Sequence, residues 1–389
     1  MRALAEPSPT RTLTVCGGAH ALHDGFTDLL NVLYPLLQAQ FGLSYAAVGA
    51  LKAVYSGAMA SGQIPSGWLS GRLGSVAVLA GGTGLVALGY GLAGLTGSLY
   101  GVVIGLLLAG LGGSTQHPIA STLVSSAYAG PRSRAALGTY NFTGDLGKVA
   151  LPAAFALIAA AVGWRHALVV TAAIAVASAA VVIATLKPAS SAVGAKRANG
   201  QLAGQERPWA FWLLFFIHVF DSLVRTGFLI FLPFLLGQKG ADLPTIGLAL
   251  SLLFAGGAVG KLMMGWLGAR LGVVMSVVIT EVATTALIFA LLPLSLTAAV
   301  ALLPLVGLML NGTSSVLYGT VPEFVTAEKR TQAFAVFYTG GSVAGAGGPF
   351  LFGLLGDAVG LLPTMATVAC VALLTVPMVL ALRPVLKAS

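Results

Sequence analysis

Of the 389 residues, 57% are hydrophobic and only 8% are charged, with a mean hydropathy of +0.94. A soluble domain needs about a quarter of its residues charged to keep its surface in water, so this composition excludes a water-soluble globular protein and predicts lipid as the main solvent. The formal net charge is +9, but the basic residues are scattered among the connections rather than gathered in a patch, which excludes a nucleic-acid binder.

Apolar runs of about 20 residues are long enough to cross a bilayer. The first, 13–37, is too long for a cleavable signal peptide and carries histidine and aspartate, so it reads as a retained helix. At about 100° per residue, His20, His23, Asp24, Thr27, Asp28, Asn31, Tyr34 and Gln38 share one face of it. A polar stripe on a lipid-spanning helix must line a cavity. The second run, 45–69, carries Lys52, Tyr55, Ser56 and Gln63. Runs 75–95 and 99–126 follow, the latter with His117; 135–159 holds Asn141, Asp145 and Lys148, with Asp145 three residues before Lys148 and able to pair with it. Run 164–186 opens on Trp164-Arg165, an interfacial anchor.

A polar connection over 187–208 divides the chain into an N-terminal bundle, 1–186, and a C-terminal bundle, 209–389. Run 209–236 repeats the stripe of the first with His218, Asp221, Ser222, Arg225 and Thr226. Runs 243–268 (with Lys261), 273–293 (with Glu281), 297–322 (with Asn311, Ser314, Ser315 and Tyr318), 332–355 and 361–383 complete twelve expected transmembrane helices of an all-α polytopic membrane protein. Cys16 and Cys370 lie in apolar runs and read as small packing residues.

Arg2, Arg11, Arg72, Arg132, Arg134, Lys187, Lys196, Arg197, Arg207, Arg270, Lys329, Arg330, Arg383 and Lys387 fall on one side of these spans, and only Arg165 and Lys239 on the other. The positive-inside bias therefore expects both termini and the central connection in the cytoplasm. The halves also repeat. Gly67-Trp68-Leu69-Ser70-Gly71-Arg72-Leu73-Gly74 falls on Gly265-Trp266-Leu267-Gly268-Ala269-Arg270-Leu271-Gly272, Pro35 on Pro233 and His20 on His218; after a one-residue slip Pro152 falls on Pro349. An even number of spans per half makes these two parallel six-helix repeats.

The paired GWLSGRLG and GWLGARLG segments resemble the signature of the major facilitator superfamily. The run from Gly340 to Pro349 resembles its antiporter-type glycine motif, of which Gly144 to Pro152 is a poorer copy. The opening His20-Ala21-Leu22-His23-Asp24-Gly25-Phe26, followed by Leu33-Tyr34-Pro35-Leu36-Leu37, is similar to the fosmidomycin-resistance branch of exporters. The resemblance implies alternating access, with helices 1, 4, 7 and 10 lining a central cavity and 2, 5, 8 and 11 flanking it. It assigns a gating role to Arg72 and Arg270, but the acidic residue that usually precedes each arginine is replaced by Gly71 and Ala269.

Buried carboxylates and histidines beside cations suit proton coupling, which nominates Asp24, Asp221, Asp28, Asp145, His20 and His23. Cations and polar groups suited to an anionic or zwitterionic small solute are Arg225, Lys148, His117, His218, Asn31, Tyr34, Lys52, Lys261, Asn311 and Tyr318. Blander readings stand beside these: an intrahelical Asp145–Lys148 pair, packing histidines at 20 and 218, interfacial reach for Asp28, Lys52 and Lys261, and packing for Glu281. The alternative cargo is a transition metal or its chelate, since His20, His23, Asp24, His117, His218 and Asp221 include suitable ligands; the cations in the same region oppose a bare ion. No H-E-x-x-H or GK[ST] motif occurs, so neither an enzyme, nor a cofactor, nor ATP drive is expected. The expected partners are the small solute, protons and the lipid bilayer, for a monomer of the bacterial-type inner membrane, exporting by antiport.

Overall fold

The computed structural model describes residues 8–128, 131–186, 206–326 and 329–386. The expected connection 187–208 lies outside the described residues as far as 205, as do Arg2, Lys187, Lys196, Arg197 and Lys387. All regular structure among the described residues is helical.

The chain opens with α1 (Pro9–Asp28), α2 (Leu30–Phe41) and α3 (Tyr45–Leu73). α4 (Ser75–Thr96), α5 (Leu99–Gly113), α6 (Gln116–Ala127), α7 (Pro131–Val162) and α8 (Trp164–Thr185) follow. The later elements are α9 (Pro208–Gln238), α10 (Leu243–Leu291), α11 (Leu296–Thr320), α12 (Arg330–Val359), α13 (Leu361–Leu373) and α14 (Thr375–Leu386). They form two compact units. One comprises the described residues of 1–36 and 54–195, and the other those of 37–53 and 196–389.

Ten helices among the described residues are long and apolar enough to cross a membrane, from Ser75–Thr96 to Leu361–Leu386. The expected spans 13–37 and 45–69 are helical in α1, α2 and α3 but fall outside this set of ten. Their polar residues are the reason: the stripe that marks α1 as cavity-lining also lowers its apolar content. α1 ends at Leu29, and Pro35 inside α2 has no N–H to return to Asn31.

In the first unit the helices approach backbone to backbone, as small residues allow in membrane bundles. A Cβ on Gly147 of α7 would be driven into the Ala21 carbonyl of α1, and one on Gly105 of α5 into the Gly89 carbonyl of α4. Leu79, Ala120, Val124 and Tyr140 belong to its buried core. In the second unit Leu214, Ile217, Leu317, Phe337 and Leu382 form the equivalent core.

The repeat appears in the backbone as well as in the sequence. Gly42 and Gly240 (φ 63° and 89°), Gly74 and Gly272 (86° and 77°), and Gly163 and Gly360 (84° and 86°) occupy corresponding turns. Left-handed φ of this kind excludes most side chains. At Gly272 it kinks α10, which is long enough to hold two membrane-length stretches, Leu243–Gly268 and Arg270–Leu291.

Candidate functional site

The polar stripe of the first helix centres on Asp24, 8% exposed, with His20 and His23 buried beside it on α1. Close contact between α1 and α7 brings Lys148 to this carboxylate: its Nζ lies 3.2 Å from Asp24 Oδ2 and 4.0 Å from Asp145 Oδ1. The nearer partner of Lys148 is therefore across the helix interface. Gly144 makes the room, since a Cβ there would sit 2.6 Å from both Asp24 Oδ2 and His20 Cε1.

His20 Nδ1 lies 2.8 Å from the Tyr140 carbonyl oxygen, and its ring stacks on Tyr140 at 4.1 Å. Its Nε2 is 3.4 Å from Asp24 Oδ1, and Nε2 of His117, on α6, is 3.7 Å from the same oxygen. His20, Asp24 and His117 are the group among the described residues that could hold a metal ion, their ligand atoms lying within 4.8 Å of one another. His23 meets His117 edge-on at 5.2 Å.

Other stripe residues gather further along. Thr27 bonds Tyr55 Oη at 2.9 Å, and Asn31 Nδ2 donates to Asp28 Oδ1 at 3.3 Å. Tyr34 is fully buried, with its hydroxyl lacking a hydrogen-bond partner.

In the second unit Asp221, 2% exposed, faces Arg225 one turn later, Oδ2 to Nη1 at 3.5 Å. Arg225 Nη2 also donates to Ser222 Oγ at 3.3 Å. His218 stacks on Phe337 at 4.2 Å, and its Nε2 is 3.4 Å from Tyr318 Oη. Gly341 leaves space for that imidazole: a Cβ there would be 2.5 Å from its Nε2. His20 on Tyr140 beside Gly144 thus has its counterpart in His218 on Phe337 beside Gly341. Asn311 on α11 donates to its own helix at Gly307, while Lys52 on α3 and Lys261 on α10 are half-buried.

For Glu281 the sequence alone suggests packing. This residue is 2% exposed and accepts from Thr313 Oγ1 at 2.8 Å. Its position inside an apolar run was the available signal; its partner on α11 was not visible from sequence.

Each of the two repeat-related arginines has an aromatic companion one turn earlier. Arg72 lies 3.8 Å from the centre of the Trp68 ring, and Arg270 lies 3.9 Å from that of Trp266. Cation–π contact of this kind stands where the resemblance implies an adjacent acid. The two basic residues expected on the opposite face of the membrane cap helix ends. Arg165 donates to the Gly94 and Leu95 carbonyls, and Lys239 to those of Leu292 and Leu294, where cations favour the helix dipole.

A model of the Major Facilitator Superfamily matches residues 17–220 and again 214–389. The protein named "Probable sulfoacetate transporter SauU" of Cupriavidus necator is 25% identical over 359 residues, covering 84% of this chain and 82% of the relative. Among solved structures, a bacterial homologue of the human lysosomal transporter Spinster, inward-facing and occupied, superposes with a TM-score of 0.81 at 18% identity, covering 97% of each chain. The peptide transporter POT in complex with sulfate gives 0.80 at 14% identity, over 99% of this chain and 96% of that one. At these identities the two structures bear on the fold alone.

Proposed function

The chain belongs to the major facilitator superfamily, a multi-pass transporter of a small molecule, and from that premise we propose that it exports a small organic anion in exchange for protons. In this reading twelve helices span a bacterial-type inner membrane, in bundles 1–186 and 209–389 joined by a cytoplasmic connection, with both termini cytoplasmic and the chain acting as a monomer. α1 with α2, and α3, supply the first two spans.

The observation that carries the reading is the buried carboxylate of Asp24, with Lys148 at 3.2 Å and the imidazoles of His20 and His117 within 3.7 Å. A carboxylate out of water that is matched to one cation changes partner when it gains a proton or when an anion claims that cation. This competition is the coupling that an antiporter needs. Each unit offers the solute a cation, Lys148 in the first and Arg225 in the second. A guanidinium holds a carboxylate, sulfonate or phosphonate through two parallel hydrogen bonds. Asp24 and Asp221 carry the proton, with Asp28, Asp145, His20 and His23 nearby. The relative named for sulfoacetate, whose substrate joins a sulfonate to a carboxylate, supports this substrate class. The glycine-rich run of α12 and the likeness of α1 to the fosmidomycin-resistance branch support export.

The test uses inside-out membrane vesicles with an acidified lumen and no ATP, offered sulfoacetate and a panel of small carboxylates and phosphonates. Accumulation that collapses when a protonophore is added is expected. Accumulation indifferent to the protonophore would overturn proton coupling, and failure to accumulate any of these anions would overturn the substrate class.

A further inference from the structure

We infer that His20, Asp24 and His117 form a binding site for a divalent transition-metal ion of the zinc, cobalt or nickel kind. The Tyr140 carbonyl can only accept a hydrogen bond, so the contact at 2.8 Å places the ring proton of His20 on Nδ1. Nε2 of the neutral ring is then a bare lone pair. It is buried, has no hydrogen-bond partner, and faces Asp24 Oδ1 at 3.4 Å. Two lone pairs facing each other in a buried site repel, and a cation between them removes the repulsion.

A shared proton would satisfy His20 and Asp24 alone. The third donor separates the two readings: Nε2 of His117 comes from a different helix and converges on the same carboxylate oxygen at 3.7 Å. Zinc sits about 2.0–2.2 Å from nitrogen and oxygen ligands in tetrahedral sites, which sets adjacent ligand atoms roughly 3.3–3.5 Å apart. The two separations from Asp24, 3.4 and 3.7 Å, fall close to that value. The triad's overall spread of 4.8 Å closes by turning His117, whose side chain is 47% exposed. That open side leaves the fourth position to water or to an oxygen of a solute.

The site is also pre-organised. His20 is clamped by its stack on Tyr140 and by the carbonyl bond to its far nitrogen, the outer-shell contact that orients metal-binding histidines. Lys148 occupies Asp24 Oδ2, leaving Oδ1 to face the imidazoles. Its charge weakens the site without blocking it. The second unit has no copy: Ser315 stands at the position corresponding to His117, and Asp221 faces Arg225.

The full-length protein, purified in detergent without a polyhistidine tag, should be titrated with Zn²⁺ by calorimetry and with Co²⁺ by visible absorption. One ion per chain is expected. His117→Ala and Asp24→Asn should each weaken binding by about tenfold or more. Lys148→Met should tighten it, the opposite sign from any general loss of structure, and His166→Ala, exposed on α8, should leave it unchanged. Thermal melts without metal report whether each variant is folded, with His117→Gln as the substitute if His117→Ala is not. Equal affinity in wild type and the His117 variants, or no binding by wild type, overturns the site. Binding is read here without transport, so that failure would leave the proposed anion exchange standing.

Discussion

The amine of Lys148 lies closer to Asp24, on the neighbouring helix, than to Asp145 on its own, at 3.2 Å against 4.0 Å. The ion pair therefore ties α1 to α7, and its two ends are separable by substitution. Asp24→Asn should fold and lose proton-driven accumulation while still exchanging solute down a gradient. Lys148→Met should lower stability by about 1–3 kcal/mol, because it leaves a buried carboxylate without its cation. Adding Asp24→Asn to Lys148→Met should recover most of that loss in a thermal melt. A double variant no more stable than Lys148→Met alone would show that the pair contributes nothing.

Arg225 separates substrate binding from simple neutralisation of Asp221, which lies 3.5 Å away. Arg225→Lys keeps the charge and loses the planar two-donor fork, so solute affinity should fall in a folded protein. Recovery of transport by Arg225→Ala combined with Asp221→Ala, after loss in each single variant, would instead assign Arg225 to neutralisation only.

The glycines of α7 differ sharply in what a methyl group would meet. Gly147→Ala pushes a Cβ into the Ala21 backbone, and Gly144→Ala places one 2.6 Å from the Asp24 and His20 side chains. Gly138 has open space around it. Overpacking costs about 1–3 kcal/mol, so Gly147→Ala should lower the melting temperature clearly and Gly138→Ala should not. Gly144→Ala should reduce transport more than stability. Indistinguishable melts for Gly147→Ala and Gly138→Ala would contradict the close approach of α1 and α7.

Orientation can be read with a membrane-impermeant thiol reagent in a background lacking Cys16 and Cys370. A cysteine at Gln40, at the exposed end of α2, should label in sealed cells. One at Ser8, exposed before α1, should label only after permeabilisation. The reverse pattern would invert the proposed topology.

The ten membrane-length helices among the described residues were legible as apolar runs because lipid imposes one simple requirement on every outward face. The stripe on α1 was legible for the same reason, since polar residues there could not face lipid. The 198-residue repeat was visible from Trp68 and Trp266 and reappears in the paired left-handed glycines. What the sequence left hidden are contacts set by how one helix rotates against another. No spacing rule brings His117 to Asp24, the Tyr140 carbonyl to His20, or Thr313 to Glu281. The arginine–tryptophan stacks lie within reach of a one-turn spacing rule, since each tryptophan stands four positions before its arginine.

The matched stacks, His20 on Tyr140 and His218 on Phe337, carry a historical consequence. A half-length ancestor that was duplicated and joined head to tail already held an imidazole on an aromatic ring beside a glycine, because both descendants keep all three. Their ionic equipment is not shared. Asp24 corresponds to Ser222, Lys148 to Gly345, and Arg225 to Thr27. The charges were thus acquired or lost separately after the duplication, and descent left the copies with unequal tasks: an acid among histidines and a lysine in one, an acid answered by an arginine in the other.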